Sequence, residues 1–481
     1  MVNQNTLLSP AIFAQRRRRL MEQMGPNSIA LLPAATPMLR SRDIYYPYHQ
    51  DSDFYYLTGF PEPEAIAILM PGSEKEFLLF CRECDPQIEV WHGRRAGTRG
   101  AIEHYGVDSA YPIVEINRIV PFLLESCDKI FINFNKKDNL SNRIIDWLNQ
   151  PLGKTRFSAR SLPVTFFELE HLLHSMRLFK EPEEVEIMRE SSRISAEAHC
   201  QAMRACRPGM FEYQLEAEIL YTFMRNGAGW SYPSIIGSGD NSCILHYTEN
   251  NDQLYDGDIV LVDAGAELYG YASDITRTFP ANGKFSGEQR AIYELVLASQ
   301  KAAIEKVYPG CRVNEPHEAA VHTLTDGLVA LGFLHGDVEA LIKEEQYKNL
   351  YMHSTGHWIG MDVHDVGNYK TSKDCWRLFE PGMITTIEPG IYIPAGGRIM
   401  DANWARLGVY LEAELEERWW RIGIRIEDNI LVTADGHQIL TEAVPKEIKD
   451  IEELMKDKAL PLMSGGAKKS YYHGPSLDYG L

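Results

Sequence analysis

The sequence predicts a two-domain protein, in which an α/β domain precedes an α+β domain with two pseudo-symmetric halves. The chain has 481 residues, more than one compact core accommodates. Strand and helix patterns alternate over residues 1–175, as in α/β domains. Residues 176–450 repeat one order twice: two helices, a histidine, and two strands that each carry a carboxylate. We expect residues 451–481 to form a loose C-terminal tail.

Charge and hydropathy exclude several classes of partner. Lys plus Arg is 48 and Asp plus Glu is 67, so the net charge is -19. Such an acidic chain disfavours nucleic acid and anionic membranes. No uninterrupted apolar stretch is long enough to span a bilayer. The first 15 residues lack a charged start followed by an apolar core, so we expect a cytoplasmic protein. We also expect a homo-oligomer, either a dimer or a tetramer.

The first domain is predicted to begin with a helix over Pro10–Met24. This helix carries the one basic run, Arg16 to Arg19, which we interpret as a solvated face. Apolar runs and helical patterns then alternate. Predicted strands cover residues 28–32, 65–70, 76–81 and 129–133, and predicted helices cover residues 113–124 and 140–148.

The second domain is predicted to begin near Pro182, because proline suits the first turn of a helix. Each half contributes two helices. The four helices are predicted over residues 183–206, 211–226, 287–307 and 315–331.

A hairpin in the first half carries two aspartates. The apolar run Ile259–Val262 predicts a buried strand that ends at Asp263, and the alternating segment after Gly270 predicts its return. Folding about residues 268 and 269 places Asp263 opposite Asp274, with β-carbons about 5 Å apart. Two carboxylates that close repel each other, and a shared proton or a pair of divalent cations would compensate. The alternative is that both aspartates end strands and point to water.

Two glutamates occur in comparable positions in the second half. Glu388 ends a β-rich run before Pro389, and Glu427 is predicted to lie within the apolar alternation of another strand. Acidic side chains are almost never buried in strands unless they are paired or bound to metal. Four carboxylates with one neutral imidazole carry a charge of -4, which balances two divalent ions. This count favours a two-metal centre over a single zinc.

The imidazole is expected to come from a histidine-rich segment. His353 and His357 have the spacing of helical zinc proteases, but Ser354 replaces the required glutamate and Gly356 disfavours a helix, so we reject that motif. With His364, three histidines fall within twelve residues and are flanked by glycines, which indicates the lining of a site.

The five residues and their contexts resemble the ligands of the pita-bread metallopeptidases, and most of all the aminopeptidase P group. The matching strings are Leu245-His246-Tyr247, Val262-Asp-Ala-Gly265, Asp274-Ile-Thr-Arg-Thr-Phe-Pro280, His357-Trp-Ile-Gly-Met-Asp-Val-His364, Glu388-Pro-Gly390 and Arg425-Ile-Glu427. Residues 53–60 and 91–95 also resemble that group's first domain. The resemblance covers residues 8–445 and implies a pita-bread catalytic domain over residues 176–450.

The resemblance also implies roles for the metal ligands. Asp263 would bind one metal, His357 and Glu388 the other, and Asp274 with Glu427 would bridge them. Manganese is the expected metal, and the ligand chemistry also permits zinc, cobalt or iron. The substrates would be peptides with proline in second position. No other cofactor is expected.

Further roles follow from the same resemblance. Glu388 would move a proton from the attacking water to the leaving nitrogen. His353 and His364 would position the substrate and stabilise the oxyanion, and His246 would line the proline side. Arg425 would orient a ligand carboxylate, with a plain ion pair as its alternative role.

Three other functions stay open on the sequence. One is a prolidase acting on Xaa-Pro dipeptides or on organophosphates, and another is a non-catalytic member that binds peptides or proteins. A creatinase-like enzyme shares the fold without metals. The intact set of five ligands argues against the last two. The connection over residues 393–420 is longer than we expect for aminopeptidase P, so we predict that it overhangs the cleft or forms an oligomer contact.

Overall fold

The structure is a computed structural model that describes residues 8–134, 139–149, 165–399, 411–412 and 415–457. The chain divides into two compact units, Met1–Met176 and Arg177–Leu481. Much of the predicted connection over residues 393–420, and the predicted tail beyond residue 457, lie outside the described residues.

The N-terminal unit is organised around a mixed sheet. Its strands are β1 (Ser28–Pro33), β2 (Leu39–Ser41), β3 (Ile44–Tyr45), β4 (Ile66–Leu69), β5 (Phe77–Cys81), β6 (Ser109–Pro112), β7 (Lys129–Ile132) and β8 (Thr165–Glu168). Its helices are α1 (Pro10–Met24), α2 (Ser52–Thr58), α3 (Pro86–His92), α4 (Gly97–Tyr105), α5 (Ile116–Leu124), α6 (Leu140–Asn149) and α7 (Glu170–Leu178), the last of which crosses the unit boundary.

Six of these strands form one sheet in the order β6-β5-β4-β1-β7-β8. Strands β1, β7 and β8 run parallel to one another, whereas β4 is antiparallel to β1. Alternate residues such as Ile29 and Leu31 point to one face, where they pack with Val120 and Trp147. The predicted strands and helices of this unit are therefore confirmed to within a few residues.

The basic run of α1 is a correction to the sequence analysis. Arg16 is fully buried and Arg17 is 4% exposed, so they do not form a solvated face. The Arg16 guanidinium lies 4.1 Å from the Tyr56 ring centroid, and that of Arg17 lies 4.1 Å from the Phe77 ring centroid. Arg17 also donates to the Leu57 carbonyl at 2.8 Å. Aromatic faces and helix-end carbonyls replace the water that these cations lose.

The second unit contains the repeated pattern. Its helices are α8 (Pro182–Ala205), α9 (Glu212–Arg225), α10 (Gly287–Ile304), α11 (Glu315–Ala330), α12 (Val338–Lys343) and α13 (Ile448–Leu454). The strands of its first half are β9 (Gly229–Trp230), β10 (Ile235–Ser238), β11 (Ile259–Asp263), β12 (Ala266–Leu268), β13 (Tyr271–Ala272) and β14 (Thr276–Pro280). Those that follow are β15 (Lys370–Ser372), β16 (Cys375–Trp376), β17 (Ile384–Ile387), β18 (Gly390–Ile393), β19 (Arg398–Ile399), β20 (Leu411–Glu412), β21 (Ile422–Arg425), β22 (Asp428–Val432) and β23 (His437–Ile439).

The two halves of this unit have matching architecture. Helix α8 packs against α9, and α10 packs against α11. The first half centres on the antiparallel sheet β10-β11-β14, and the second half on β17-β22-β23. All residues of β11, β14, β17 and β22 are buried. In β11 this burial matches the continuous apolar run Ile259–Val262. Each half thus presents the end of a buried strand to a shared cleft.

The register of the aspartate hairpin differs from the prediction. Asp263 pairs with Thr276, two residues beyond Asp274. The turn lies at Tyr269 and Gly270, whose φ angles are 52° and 79°, so the hairpin folds one residue later than expected. Asp274 falls between β13 and β14, outside the ladder. Among the described residues, no helix is both long enough and apolar enough to cross a membrane.

Candidate active site

The predicted ligand residues lie together in a cleft of the second unit. The cavity has a volume of about 2090 Å³, and its lining includes all five: Asp263, Asp274, His357, Glu388 and Glu427. Atoms of Asp274, His357 and Glu427 lie within 4.8 Å of one another. The aspartates come from the first half and the other three residues from the second half.

A tyrosine hydroxyl links the two aspartates. Tyr232 Oη lies 2.6 Å from Asp263 Oδ1 and within hydrogen-bonding distance of Asp274 Oδ1. The Asn429 amide holds the Asp274 backbone, accepting from its N–H at 3.0 Å and donating to its carbonyl at 2.7 Å. A side chain from the second half therefore replaces the ladder bonds that Asp274 lacks.

His357 presents one ring nitrogen to the carboxylates. Its Nδ1 lies 2.9 Å from the Trp358 carbonyl, which accepts a hydrogen bond when Nδ1 carries the proton. Its Nε2 then lies 3.4 Å from Asp274 and 3.6 Å from Glu388. A backbone carbonyl that fixes the tautomer of a histidine is a common feature of metal sites.

The two glutamates are held by the backbone around them. Glu388 follows β17, and its N–H donates to the Thr355 carbonyl at 2.7 Å. Glu427 lies in the break between β21 and β22, so the expectation that it sits inside a continuous strand is wrong. The Thr276 hydroxyl donates to Glu427 Oε2 at 2.7 Å, and the Glu427 N–H donates to the Thr276 carbonyl at 3.0 Å. Glu427 Oε1 is buried without a hydrogen-bond partner among the described residues.

Burial and mutual repulsion disturb the ionisation of these groups. Burial raises the pKa of Glu388 to about 7, although His357 and Arg425 oppose the rise. Burial and the charges of Asp274 and Glu388 raise the pKa of Glu427 well above its usual range. Burial lowers the pKa of His357, but the neighbouring acids outweigh it and raise the pKa to about 9. The cluster thus has more negative charge than its surroundings balance.

These observations fit bound cations. Asp274, Glu427 and one imidazole nitrogen offer ligand atoms within 4.8 Å of one another. One oxygen of Glu427 is buried without a hydrogen-bond partner among the described residues. Carboxylates and imidazole suit manganese, zinc, cobalt and iron. Divalent cations would bind the unpartnered Glu427 oxygen and offset the repulsion between the carboxylates. A hydrogen bond from a neutral group would supply a partner but no positive charge.

Arg425 connects the cluster to His353. Its Nη2 donates to Asp263 at 2.6 Å, its Nη1 donates to Tyr392 Oη at 3.0 Å, and its Nε donates to Thr276 Oγ1 at 3.1 Å. Tyr392 Oη in turn lies 2.8 Å from His353 Nε2. Burial and the Arg425 charge lower the pKa of His353 to about 3, so this histidine is neutral at pH 7.

The other two histidines also line the cavity. The ring centroid of His364 lies 4.4 Å from that of His357. His246 is an exposed residue on the cavity wall. Burial and the His357 charge lower the pKa of His364. His353 and His364 thus border the acid cluster. His246 lines the same cavity, and among the described residues it makes no hydrogen bond or ion pair with any of the five proposed ligands.

Three residues that shape the site carry no clear signal in the sequence. Tyr232, Asn429 and Tyr392 each contact the cluster or its arginine through side-chain hydrogen bonds. Tyr232 lies in a loop before β10, and nothing in its local sequence separates it from other loop tyrosines. Asn429 follows Glu427 by two residues, so its position next to a candidate ligand is the one available signal.

A cluster of carboxylates and one imidazole in a cleft of this size is the kind of site that metal-dependent hydrolases use. Residues 186–434 match metallopeptidase family M24, and residues 13–131 match the aminopeptidase P, N-terminal domain. The chain belongs to metallopeptidase family M24. It is therefore a hydrolase of the metalloprotease class, and the predicted resemblance is confirmed.

Two bacterial proteins are similar in sequence to this chain over nearly their full length. The Xaa-Pro aminopeptidase of Escherichia coli (strain K12) is 44% identical over 446 residues, which cover 92% of this chain and 97% of the relative. The Xaa-Pro aminopeptidase of Haemophilus influenzae is 44% identical over 448 residues, covering 92% and 96% of the two chains.

Solved structures share the fold. The aminopeptidase PepP of Pseudomonas aeruginosa is 50% identical, with a TM-score of 0.87 over 93% of this chain and 98% of that chain. Aminopeptidase P from E. coli with the inhibitor Pro-Leu is 43% identical, with a TM-score of 0.86 over 93% and 98% of the two chains. The predicted fold class, an α/β domain followed by a pita-bread catalytic domain, is confirmed.

Proposed function

We propose that this protein is an Xaa-Pro aminopeptidase that releases the N-terminal residue from peptides with proline in second position. The observation that carries the proposal is the convergence of four acids and one imidazole on one cleft, in a chain of family M24. The curated relatives from E. coli and H. influenzae bear this activity in their names.

Five residues are proposed to hold two divalent ions. Asp263 would hold one ion, His357 and Glu388 would hold the second, and Asp274 and Glu427 would be shared between the two. The unpartnered Oε1 of Glu427 supports a bridging role, because a bridging carboxylate uses both of its oxygens. Manganese is the proposed metal, with zinc, cobalt and iron as alternatives.

Bound divalent ions would lower the pKa of a water molecule and polarise the peptide carbonyl. Glu388 accepts the proton of that water and delivers it to the proline nitrogen, which must be protonated to leave. The Glu388 side chain is 17% exposed at the cavity, so it is accessible to both groups. The carboxylate is held near His357 by its backbone bond to Thr355.

The other polar groups are proposed to bind and orient the substrate. His364 borders the acid cluster and donates a hydrogen bond to the oxyanion as it forms. The two ring nitrogens of His353 face the Ser354 carbonyl and the Tyr392 hydroxyl, so His353 is proposed to position the substrate rather than to donate to the oxyanion. His246 lines the proline side of the cleft. Arg425 fixes Asp263 through a bond of 2.6 Å and, through Tyr392, sets the orientation of His353.

The remaining expectations about organisation are part of the same proposal. Residues 1–175 form the N-terminal domain of the aminopeptidase P type, and residues 176–450 form the core of the catalytic domain. Helix α13 crosses the predicted start of the tail at residue 451, and its Ile451 is fully buried, so the expectation of a loose tail over residues 451–481 is wrong for this helix. The proposed tail begins after it. The protein is proposed to be cytoplasmic and a homo-oligomer. Val90 and Trp91 are more than four-fifths exposed, which supports an interface on the N-terminal unit. Light scattering on purified protein tests the oligomer, and cell fractionation tests the compartment.

Peptide hydrolysis tests the proposed reaction. We expect release of the first residue from an Xaa-Pro-Yaa tripeptide. Activity should be lost on chelation and restored when manganese, zinc or cobalt is added back separately. A prolidase would instead cleave only the Xaa-Pro dipeptide, and a peptide-binding member would cleave neither while still binding the peptide.

Two substitutions test the proposed ligands. Asp274→Ala and Glu427→Ala each remove a carboxylate proposed to be shared by both ions, so we expect hydrolysis to fall by about a hundredfold to a thousandfold, the scale of losing a major electrostatic contribution to catalysis. Asp256→Ala, at an exposed aspartate, is the matched control and should keep normal activity. Normal turnover in either ligand variant would refute the assignment.

A further inference from the structure

The N-terminal unit contains a second cluster of potential metal ligands. Asp53, Glu170 and His174 each offer one ligand atom, and these atoms lie within 4.8 Å of one another. Asp53 lies in the first turn of α2, while Glu170 and His174 lie on α7. Helix α7 begins directly after β8, at the carboxyl ends of the parallel strands β7 and β8. This edge of a parallel sheet is a frequent place for ligands.

The local sequence explains why these side chains meet. Glu170 and His174 are four residues apart, so they lie one above the other on the same face of α7. Asp53 is 4% exposed, and its Oδ2 lies 3.6 Å from His174 Nε2. That separation is longer than a hydrogen bond, so a direct bond does not account for the approach of the two groups.

A buried amide supplies an independent indication of a ligand. Asn133 follows β7, is 8% exposed, and points its side chain at Asp53, with Nδ2 3.4 Å from Asp53 Oδ2. Its Oδ1 is buried and has no hydrogen-bond partner among the described residues. An unsatisfied buried oxygen costs about 1–3 kcal/mol. Rotating the amide by 180° would turn this oxygen towards the Asp53 carboxylate, and a cation between the two oxygens would stabilise that arrangement.

We propose that Asp53, Asn133, Glu170 and His174 form a site for one divalent transition-metal ion. Two carboxylates and a neutral imidazole carry a charge of -2, which one such ion balances. The amide oxygen is the fourth donor. Mixed oxygen and nitrogen donors suit zinc, cobalt and manganese. Glu170 and His174 are only partly buried, so an ion has access from solvent.

Metal binding would draw the four side chains together. Donors in a tetrahedral site with bonds of about 2.0–2.1 Å lie roughly 3.3 Å apart. The ligand atoms here span up to 4.8 Å, so they must close by small rotations of side chains. The ion would join α2, α7 and the end of β7, and its role would be to stabilise the N-terminal unit.

Cobalt binding to the full-length chain tests this site. The variant Asp274→Ala with Glu427→Ala serves as the background, because it weakens binding in the cleft of the second unit. Bound Co²⁺ is measured by equilibrium dialysis and by its visible absorption. We expect the background protein to bind about one more Co²⁺ per chain than the same protein with His174→Ala. His174→Ala should lower the Co²⁺ affinity of the site in the N-terminal unit by about tenfold or more.

Matched variants separate a metal site from a structural ion pair. His171→Ala removes an exposed histidine of the same helix and should leave Co²⁺ binding unchanged. Zn²⁺ should raise the thermal midpoint of the background protein, and His174→Ala should abolish that rise. Glu170→Gln, at a partly exposed position, repeats the test if His174→Ala does not fold. The proposal would be overturned if the background protein binds the same amount of Co²⁺ whether or not it carries His174→Ala or Glu170→Gln. It would also be overturned if these substitutions lower the thermal midpoint without changing the amount of bound metal.

Discussion

A buried ion-pair network behind the candidate active site makes a quantitative prediction. Asp365 Oδ2 accepts from Lys180 Nζ at 2.9 Å, and Asp365 Oδ1 accepts from Arg177 Nη2 at 2.6 Å. The side chains of Asp365 and Lys180 are 1% exposed, and that of Arg177 is 3% exposed. Arg177 also contacts Asp362, whose side chain is 41% exposed. The network thus has one acid in the core and one at the surface.

Asp365→Asn removes the core charge while preserving the size of the side chain. The Lys180 ammonium would remain buried and face an amide instead of a carboxylate. Removing one partner of a buried ion pair costs about 3–5 kcal/mol, because the remaining charge is uncompensated. Asp362→Asn removes the same charge from the exposed end of the network. It should cost at most about 1 kcal/mol, as for other solvent-exposed pairs.

The assay is urea unfolding of both variants followed by circular dichroism at pH 7. Asp365→Asn should lower the free energy of unfolding by at least about 2 kcal/mol more than Asp362→Asn does. Replacing the lysine as well, in Asp365→Asn with Lys180→Met, should recover part of the loss. If Asp365→Asn unfolds within about 1 kcal/mol of the unmodified protein, then the ion pair does not stabilise this unit as reasoned.

The pH dependence of this difference follows from the same contacts. Burial opposes ionisation of Asp365, but Lys180 and Arg177 outweigh it and hold its pKa below the usual value. A depressed pKa stabilises the folded state above the unfolded value of about 3.9. The stabilisation is lost as the pH falls through the lower folded value. The difference in free energy of unfolding between Asp365→Asn and the unmodified protein should therefore have its largest value at pH 7 and decrease below about pH 4.

Two further variants test the geometry around the cluster. Tyr232→Phe removes the hydroxyl between the aspartates, so metal affinity measured by titration should fall by about tenfold to a hundredfold, whereas Tyr221→Phe, at an exposed tyrosine, should leave it unchanged. Equal affinities in the two variants would contradict the role of Tyr232. Gly356→Ala places a β-carbon 2.0 Å from the Thr386 carbonyl, so the segment must move and peptide hydrolysis should fall by at least about tenfold. Gly287→Ala has open space and should be neutral, and an active Gly356→Ala enzyme would show that the segment tolerates displacement.

The sequence was sufficient for those parts of the site that depend on residue type and strand position. Asp263 and Glu388 each end or follow an apolar strand, so their burial and their approach to a shared cleft could be inferred. Seven helices were predicted to within a few residues, because apolar periodicity and proline starts are local signals. The sequence patterns did not predict α2, α3, α4, α7, α12 and α13.

The remainder depends on contacts between distant segments. The hairpin turns at Tyr269 and Gly270 instead of at residues 268 and 269, so the residue opposite Asp263 shifts by two positions. Arg16 and Arg17 were assigned to a solvated face because the aromatic rings that cover them come from other elements. Tyr232 was missed for the same reason, since its partners lie more than thirty residues away in the chain.

The Asn429 clamp on Asp274 has a consequence for how this domain can be divided. Asp274 is contributed by one half, yet its main chain is bonded to an amide contributed by the other. Thr276 and Glu427 add a second reciprocal link across the same seam. The first half in isolation would therefore not keep a weaker version of the site, because it would lack the Asn429 hydrogen bonds that position Asp274. Any ancestor built from one such half would have needed to dimerise before it could capture an ion in this manner.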